Sequence, residues 1–519
     1  MSASPNVLFI ISDQHNAKCL GSAGHPVVRT PRLDRLAAEG VSFSCAITQN
    51  PICTPSRVSF LSGQYAQNHG YYGLGGAKPL ALPSILGHFR EQGYRTAAIG
   101  KIHCPHGWVQ ADTDFYRGAY AECDFAPGTG QSDYDVYLEK KGLLAERDDA
   151  VYPEQRDMTR MPKDARPSRL NYEDSVEGWC VREAMEFVKT AAGRPWIMQV
   201  SLPRPHQLYC PAKRFWDMYP DDLPMPPNAD ANMSLKPPHM RAAREAQEQG
   251  SEECLFGESG YPALRRRKLR GYYGCISQVD HAVGELLDFL RERGLEENTI
   301  VIYTSDHGEY ACEFGLLEKA PGICSEAVTR IPYLWRWPGH FKAGHVSSRI
   351  VETVDLAPTV AALAGLPAFA TADGKDMTPL LKGDGLDIHR VGVTENPWSK
   401  SVRKGPWRFV HYPSGMFAAL PTGRVIGELY NMEKDPWEMN NLFYDPAYQD
   451  IVQEMRAELA EWVITTRRVR TIHPTAGLPA GAGTGPLTVI NSSSVPAADE
   501  KISSECVRQL SRDGELNYL

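Results

Sequence analysis

The chain of 519 residues is 42% apolar and 23% charged, the balance of a folded protein with a deep core rather than of a disordered, collagen-like or disulfide-scaffold chain. Lys and Arg number 55 against 63 Asp and Glu, a net charge of −8, and no long basic run is present to bind nucleic-acid phosphates. No apolar stretch approaches the roughly 20 residues of a bilayer span, and the segment from Met1 to Pro5 lacks a basic n-region, so neither nucleic acid nor membrane is expected as a partner and the expected location is cytoplasmic.

In chain order, short β-branched or aromatic runs bounded by polar residues predict buried strands at Val7–Ile11, Thr96–Ile99, Trp196–Val200 and Thr299–Tyr303. Helical patterns lie between them at Pro31–Glu39, Pro83–Gln92, Tyr172–Thr190 and from about Pro262 to Arg293. In the last, Ile276, Val279, Val283, Leu286 and Leu290 step by three and four residues, a core-facing stripe that Gly294 ends. Such alternation predicts an α/β fold, a large mostly parallel sheet flanked by helices. From about residue 385, aromatic and Gly/Pro-rich extended runs followed by an amphipathic helix at Gln449 to about Thr466 predict a smaller C-terminal α+β subdomain, an antiparallel sheet plus helix. The expected divisions are 1–384, 385–472 and an extended tail, 473–519. Two polar stretches, 111–170 and 221–260, read as irregular insertions over a site.

The twelve cysteines show no C-x(2–4)-C spacing, which disfavours a zinc finger and makes most of them reduced, buried small side chains. Cys53 is set apart by its surroundings. Thr54 suits an N-cap and Pro55 the first helical position, placing Cys53 just before a helix start whose free N–H groups favour an anion.

Ligands of open parallel sheets gather beyond the carboxyl ends of the strands. There the four strands deliver Ser12-Asp13-Gln14-His15, Gly100-Lys101-Ile102-His103, Ser201 through His206, and Ser305-Asp306-His307-Gly308-Glu309. Two carboxylates, an amide and an imidazole at such ends can close on a divalent cation, oxygen ligands favouring Ca²⁺ or Mg²⁺ and the imidazole admitting Mn²⁺. His69 reads as a loop residue, and Arg265-Arg266-Arg267-Lys268 as a solvated helix face.

Cys53-Thr54-Pro55-Ser56-Arg57 resembles the Cys-x-Pro-x-Arg signature of type I sulfatases, within the alkaline-phosphatase-like superfamily. Further segments agree in register: Asn6–Asp13, Gly100-Lys101-x-His103, Pro205-His206, Thr304 through Glu309, the stretch around Lys319, and Glu428 through Leu442. The resemblance implies that a formylglycine-generating enzyme oxidises Cys53 to formylglycine. It also implies that Asp13, Gln14, Asp306 and His307 bind one divalent metal together with residue 53, Ca²⁺ being favoured over Mn²⁺ or Mg²⁺. Arg57, Lys101 and Lys319 match the cations that hold formylglycine and the sulfate oxygens, and His103 and His206 match the two catalytic histidines. Gln14 and His307, where many sulfatases have Asp and Asn, resemble the branch of choline sulfatases and phosphonate monoester hydrolases.

The implied reaction is hydrolysis of a small-molecule sulfate monoester to alcohol and sulfate. His206 would protonate the leaving alcohol and His103 would take a proton from the aldehyde hydrate. The alternatives are a phosphonate monoester or phosphodiester hydrolase on the same site and, from another class, a non-enzymatic metal-binding scaffold with an unmodified Cys53. The tail carries Ile502, Val507, Leu510, Leu516, Tyr518 and Leu519 in an otherwise polar end, which suits docking on a neighbouring subunit in a homo-oligomer.

Overall fold

The computed structural model describes residues 4–74, 82–105, 107–119, 131–147, 165–191, 193–252, 260–319, 323–413 and 425–468; the expected C-terminal tail lies outside them. The strands are β1 (Asn6–Asp13), β2 (Val41–Phe43), β3 (Ala46–Ile47), β4 (Arg95–Gly100), β5 (Phe115–Gly118), β6 (Trp196–Pro205), β7 (Thr299–Ser305), β8 (Tyr333–Arg336), β9 (His345–Ser347), β10 (Val351–Glu352), β11 (Gly392–Glu395), β12 (Lys400–Lys404), β13 (Trp407–His411) and β14 (Gly427–Asn431). Eight of them form one sheet in the order β5-β4-β6-β1-β7-β8-β2-β9. Its first five strands are parallel throughout, whereas β8 runs antiparallel to both neighbours.

The central strands are continuous apolar runs because both sheet faces are covered. Alternate residues of β1 go to opposite faces. Val7, Phe9 and Ile11 join a core that includes Val58, Phe60 and Leu61 of the helix Cys53–Ser62. Leu8 and Ile10 join Val279, Val283, Leu286 and Leu290 of the long helix Gly260–Glu292. Four of the five predicted stripe residues are thus together, Ile276 packing instead with Tyr209, Trp216 and Leu317, and Gly294 at φ 66° turns the chain out of the helix.

The smaller sheet, β11-β12-β13-β14, is antiparallel. Val393, Val402, Phe409 and Leu429 on one of its faces pack with Val452, Met455, Leu459 and Trp462 of the helix Gln449–Thr466. It is joined to the larger body through Thr394 Oγ1, which donates to Thr48 O at 2.6 Å, and Glu395 N, which donates to Gln49 O at 2.8 Å.

Several local expectations are corrected. The helix expected from Tyr172 begins at Val176, because Ser175 accepts the Gly178 N–H and caps it after a 3₁₀ turn over Tyr172–Asp174. The 111–170 stretch is not all irregular, since it supplies edge strand β5 and the helix Asp133–Lys140, and 221–260 contains the helix Pro238–Glu252. Arg265 and Lys268 are buried and not solvated. Three residues apart, they share one helix face, where Arg265 Nη2 meets Asp230 Oδ1 at 3.0 Å and Lys268 lies 3.9 Å from Glu318. His69 is likewise buried, its Nε2 2.9 Å from Ser59 Oγ, within the short helix Ala66–His69.

Candidate active site

The parallel register sets the site. Ser12 pairs with Ser305, and a bulge after Ser12 brings Asp13 opposite Pro205, so the ends of β1, β6 and β7 present Asp13, His206 and Asp306 at one edge. Gly100 ends β4 at φ 99°, where a Cβ would lie 2.0 Å from Ser201 O, and Gly308 is pressed as closely on Ala327 O. No other residue fits at either turn. Thr48 Oγ1 and Ser56 Oγ both donate to Asp306 O, at 2.7 and 2.6 Å, tying the β7 end to the Cys53 helix.

That helix starts two residues earlier than its sequence suggests. Cys53 is its first residue and Ile52 occupies the N-cap position without a side-chain cap. Pro55 is tolerated two residues further in because the first-turn N–H groups have no intrahelical acceptor in any case. Asp13, Cys53, Asp306 and His307 each direct one ligand atom into a buried cluster, all within 4.8 Å of one another. Cys53 Sγ is 3.2 Å from His307 Nε2. His307 Nδ1 faces Gly308 O at 2.9 Å and therefore donates there, which turns Nε2 toward the cluster.

Cations surround these donors. Arg57 spans both carboxylates, Nη2 to Asp13 Oδ2 at 3.0 Å and Nε to Asp306 Oδ2 at 2.9 Å, and its Nη1 donates to Ser201 Oγ at 2.8 Å. Lys101 Nζ is 2.7 Å from Asp13 Oδ2. Lys319 Nζ donates to Gln14 Oε1 at 2.9 Å and lies 3.2 Å from His206 Nε2. Two carboxylates against Arg57, Lys101 and Lys319 leave a positive surplus, which suits an anionic ester.

The field acts on each group. Burial and Cys53 push the Asp13 carboxyl up, but its neighbours, the Lys101 and Arg57 cations among them, outweigh these and hold it below the usual range. Burial also raises the Cys53 thiol, yet Lys319, Lys101 and His307 together bring it well below its ordinary value. His206 is lowered by burial, Lys101 and Lys319. Its Nδ1–H donates to Gln207 O at 2.8 Å, so the Nε2 facing Lys319 is the acceptor.

Two site residues sit in the left-handed region, Gln14 at φ 68° and His103 at φ 47°, a strained backbone that clusters at functional positions. Gln14 N donates to Asp306 Oδ1 at 3.1 Å, and the Cys53 thiol hydrogen-bonds with His103. Every site residue named from the sequence is thus placed around this edge. Sequence reasoning assigned no role to Ser201, Thr48, Ser56 or Glu309. Of these Glu309 had a visible signal, a carboxylate two residues beyond His307.

The pattern of the Sulfatase family matches residues 5–366, from the first strand to the end of the large-sheet region. The chain belongs to the sulfatase family. Similar proteins include an arylsulfatase of Clostridium perfringens, 28% identical over 480 residues covering 87% of this chain and 93% of that protein. A choline-sulfatase of Rhizobium meliloti is 27% identical over 463 residues, covering 86% and 83%. Among solved structures, the phosphonate monoester hydrolase SpPMH from Silicibacter pomeroyi superposes with a TM-score of 0.75 at 21% identity, covering 89% of this chain and 96% of that one, and has the same alkaline-phosphatase-like fold. As a sulfatase-family hydrolase, the protein carries its candidate metal group at Asp13, Cys53, Asp306 and His307.

Proposed function

We propose that this protein hydrolyses a sulfate monoester of a small molecule, using a divalent metal and a formylglycine made from Cys53. The observation that carries the reading is the Cys53 side chain at a helix N-terminus, buried among Asp13, Asp306 and His307 and ringed by Arg57, Lys101 and Lys319. The donor set fits a divalent cation: two carboxylates paired with neighbouring cations, and an imidazole whose Nε2 faces the cluster. Asp13, Asp306, His307 and the Gln14 amide oxygen would hold the metal, with Ca²⁺ preferred for its oxygen ligands and Mn²⁺ or Mg²⁺ as alternatives. A metal bound there would supply Lewis acidity, stabilising negative charge and lowering the pKa of a hydroxyl on residue 53.

The chain's own groups then divide the work. Arg57 pairs with Asp13 and Asp306 and fixes both carboxylates, and Lys101 and Lys319 neutralise the charge spread over the sulfate oxygens. His206 is neutral beside Lys319. An entering anion raises its proton affinity, so it takes a proton from solvent water at Nε2 and delivers it to the departing alcohol. His103, next to residue 53, receives the proton released when sulfate leaves. Comparing turnover of an aryl sulfate with that of an aryl phosphonate monoester tests the reading. Faster sulfate cleavage supports it, faster phosphonate cleavage replaces it with the phosphonate monoester hydrolase alternative, and a metal-loaded, formylglycine-bearing protein inert to both supports the scaffold.

A further inference from the structure

Glu309 lies beneath the site and touches four of its segments. Its Oε2 accepts from Gln14 Nε2 and, at 3.2 Å, from Tyr209 OH in the loop after β6. Its Oε1 accepts from Glu318 N, one residue before Lys319, and from Ala311 N at 3.3 Å. Burial and the Glu318 carboxylate push its carboxyl up to about 7 against the Ala311, Glu318 and Gln14 donors. Each of these four neighbours donates, so the carboxyl is an acceptor on both sides.

An amide has two faces that differ only in which atom donates, and a buried amide takes the face its neighbours select. Around Gln14 the two charged neighbours select the same one, and Gln207 Oε1, 3.4 Å from Nε2, agrees with it. The Lys319 ammonium can only donate and takes Oε1, while the Glu309 carboxylate accepts and takes Nε2. We propose that Glu309 is a positioning residue that fixes the Gln14 amide, turning its oxygen, the one amide atom able to ligate a cation, toward Lys319. The assignment rests on the reading of Gln14 as a metal ligand given above.

Glu309→Gln forces a conflict in either orientation of the new amide. If its oxygen faces Gln14, its NH₂ meets the Glu318 and Ala311 N–H groups. If its oxygen faces those N–H groups, its NH₂ meets the Gln14 NH₂, which can turn away only by opposing Lys319. Exchanging the two side chains removes both conflicts. A carboxylate at position 14 accepts from Lys319 and from the amide NH₂ at position 309, and the oxygen of that amide accepts from Glu318 N.

The test compares wild type, Glu309→Gln, Gln14→Glu and the exchanged double variant. Thermal unfolding of the metal-free proteins and calorimetric titration with Ca²⁺ and Mn²⁺ are the readouts. Each single substitution should lower Tm, and the double variant should recover at least half of the summed loss. Glu309→Gln should weaken metal binding by about tenfold or more, as loss of a ligand-orienting partner does, while the double variant binds at least as well as wild type. Additive Tm losses, or wild-type affinity in Glu309→Gln, would overturn the assignment. If wild type binds neither metal, the unfolding comparison alone decides. Turnover of the aryl sulfate by wild type is scored separately, so an inactive protein that shows recovery in the double variant sinks the sulfatase reading and keeps this one.

Discussion

Cys53 and His206 illustrate how single side chains acquire chemistry from their neighbours. A buried thiol is ordinarily inert, and Cys53 differs because Lys319, Lys101 and His307 favour its anion. Conversion to formylglycine should lower the peptide mass by roughly 18 Da, measured on protein made with a generating enzyme present. Cys53→Ala should fold and lose turnover. An unmodified Cys53 in fully active protein would contradict the proposed nucleophile. His206 matters most where the departing oxygen is basic. His206→Ala should slow alkyl sulfates by roughly 10²-fold or more, the usual worth of a general acid, and activated aryl sulfates far less. Equal losses across a leaving-group series would remove His206 from that role.

The Cys53–Ser62 helix has all ten residues buried, and its Arg57 bridges Asp13 and Asp306. Truncating one partner of a buried ion pair leaves uncompensated charge and costs about 3–5 kcal/mol. Arg57→Ala should therefore destabilise the metal-free protein by about that much in urea unfolding, and saturating Ca²⁺ should reduce the loss by neutralising the same carboxylates. A loss unaffected by Ca²⁺ would argue that the cation binds elsewhere. A second buried pairing lies at the start of the helix Leu356–Leu363, where His389 Nε2 contacts both oxygens of the N-cap residue Asp355 at 2.9 Å. Burial opposes the imidazolium, but Asp355 and Glu352 outweigh it and raise the pKa from 6.5 to about 9. A raised folded-state value means stability that is complete below pH 6.5 and lost as pH rises through 9. The stability difference between wild type and His389→Gln should thus shrink between about pH 6 and 10, and a flat difference would exclude a charged His389.

The two sheets are joined by polar contacts as well as by packing. Glu438, beyond β14, accepts from Ser325 Oγ at 2.6 Å and Glu326 N at 3.1 Å, and it pairs with buried Arg408 of β13. Ser325 follows the Lys319 loop, so the small sheet braces a cationic arm of the candidate site. Glu438→Ala should lower Tm and turnover together, with about 3–5 kcal/mol lost because Arg408 remains buried without its carboxylate. Calorimetry of wild type should give one transition. Two separate transitions, one per sheet, would show that this contact does not couple them.

Most of the core strands and helices were legible along the chain because their information is local. A strand buried on both faces is a continuous apolar run, and the polar residue that ends it falls at the sheet edge, which is how Asp13 and Asp306 stood out. The Cys53 signature is likewise contiguous. Packing chose the rest. Lys319 reaches Gln14 across 305 residues and His206 across 113, Arg265 and Lys268 turn inward because their helix face meets Asp230 and Glu318, and β8 reverses the sheet direction. Nothing in the short-range pattern of apolar and polar residues encodes which distant donor meets which acceptor. That pairing, including the one between Glu309 and Gln14, exists only once the strand ends are brought side by side.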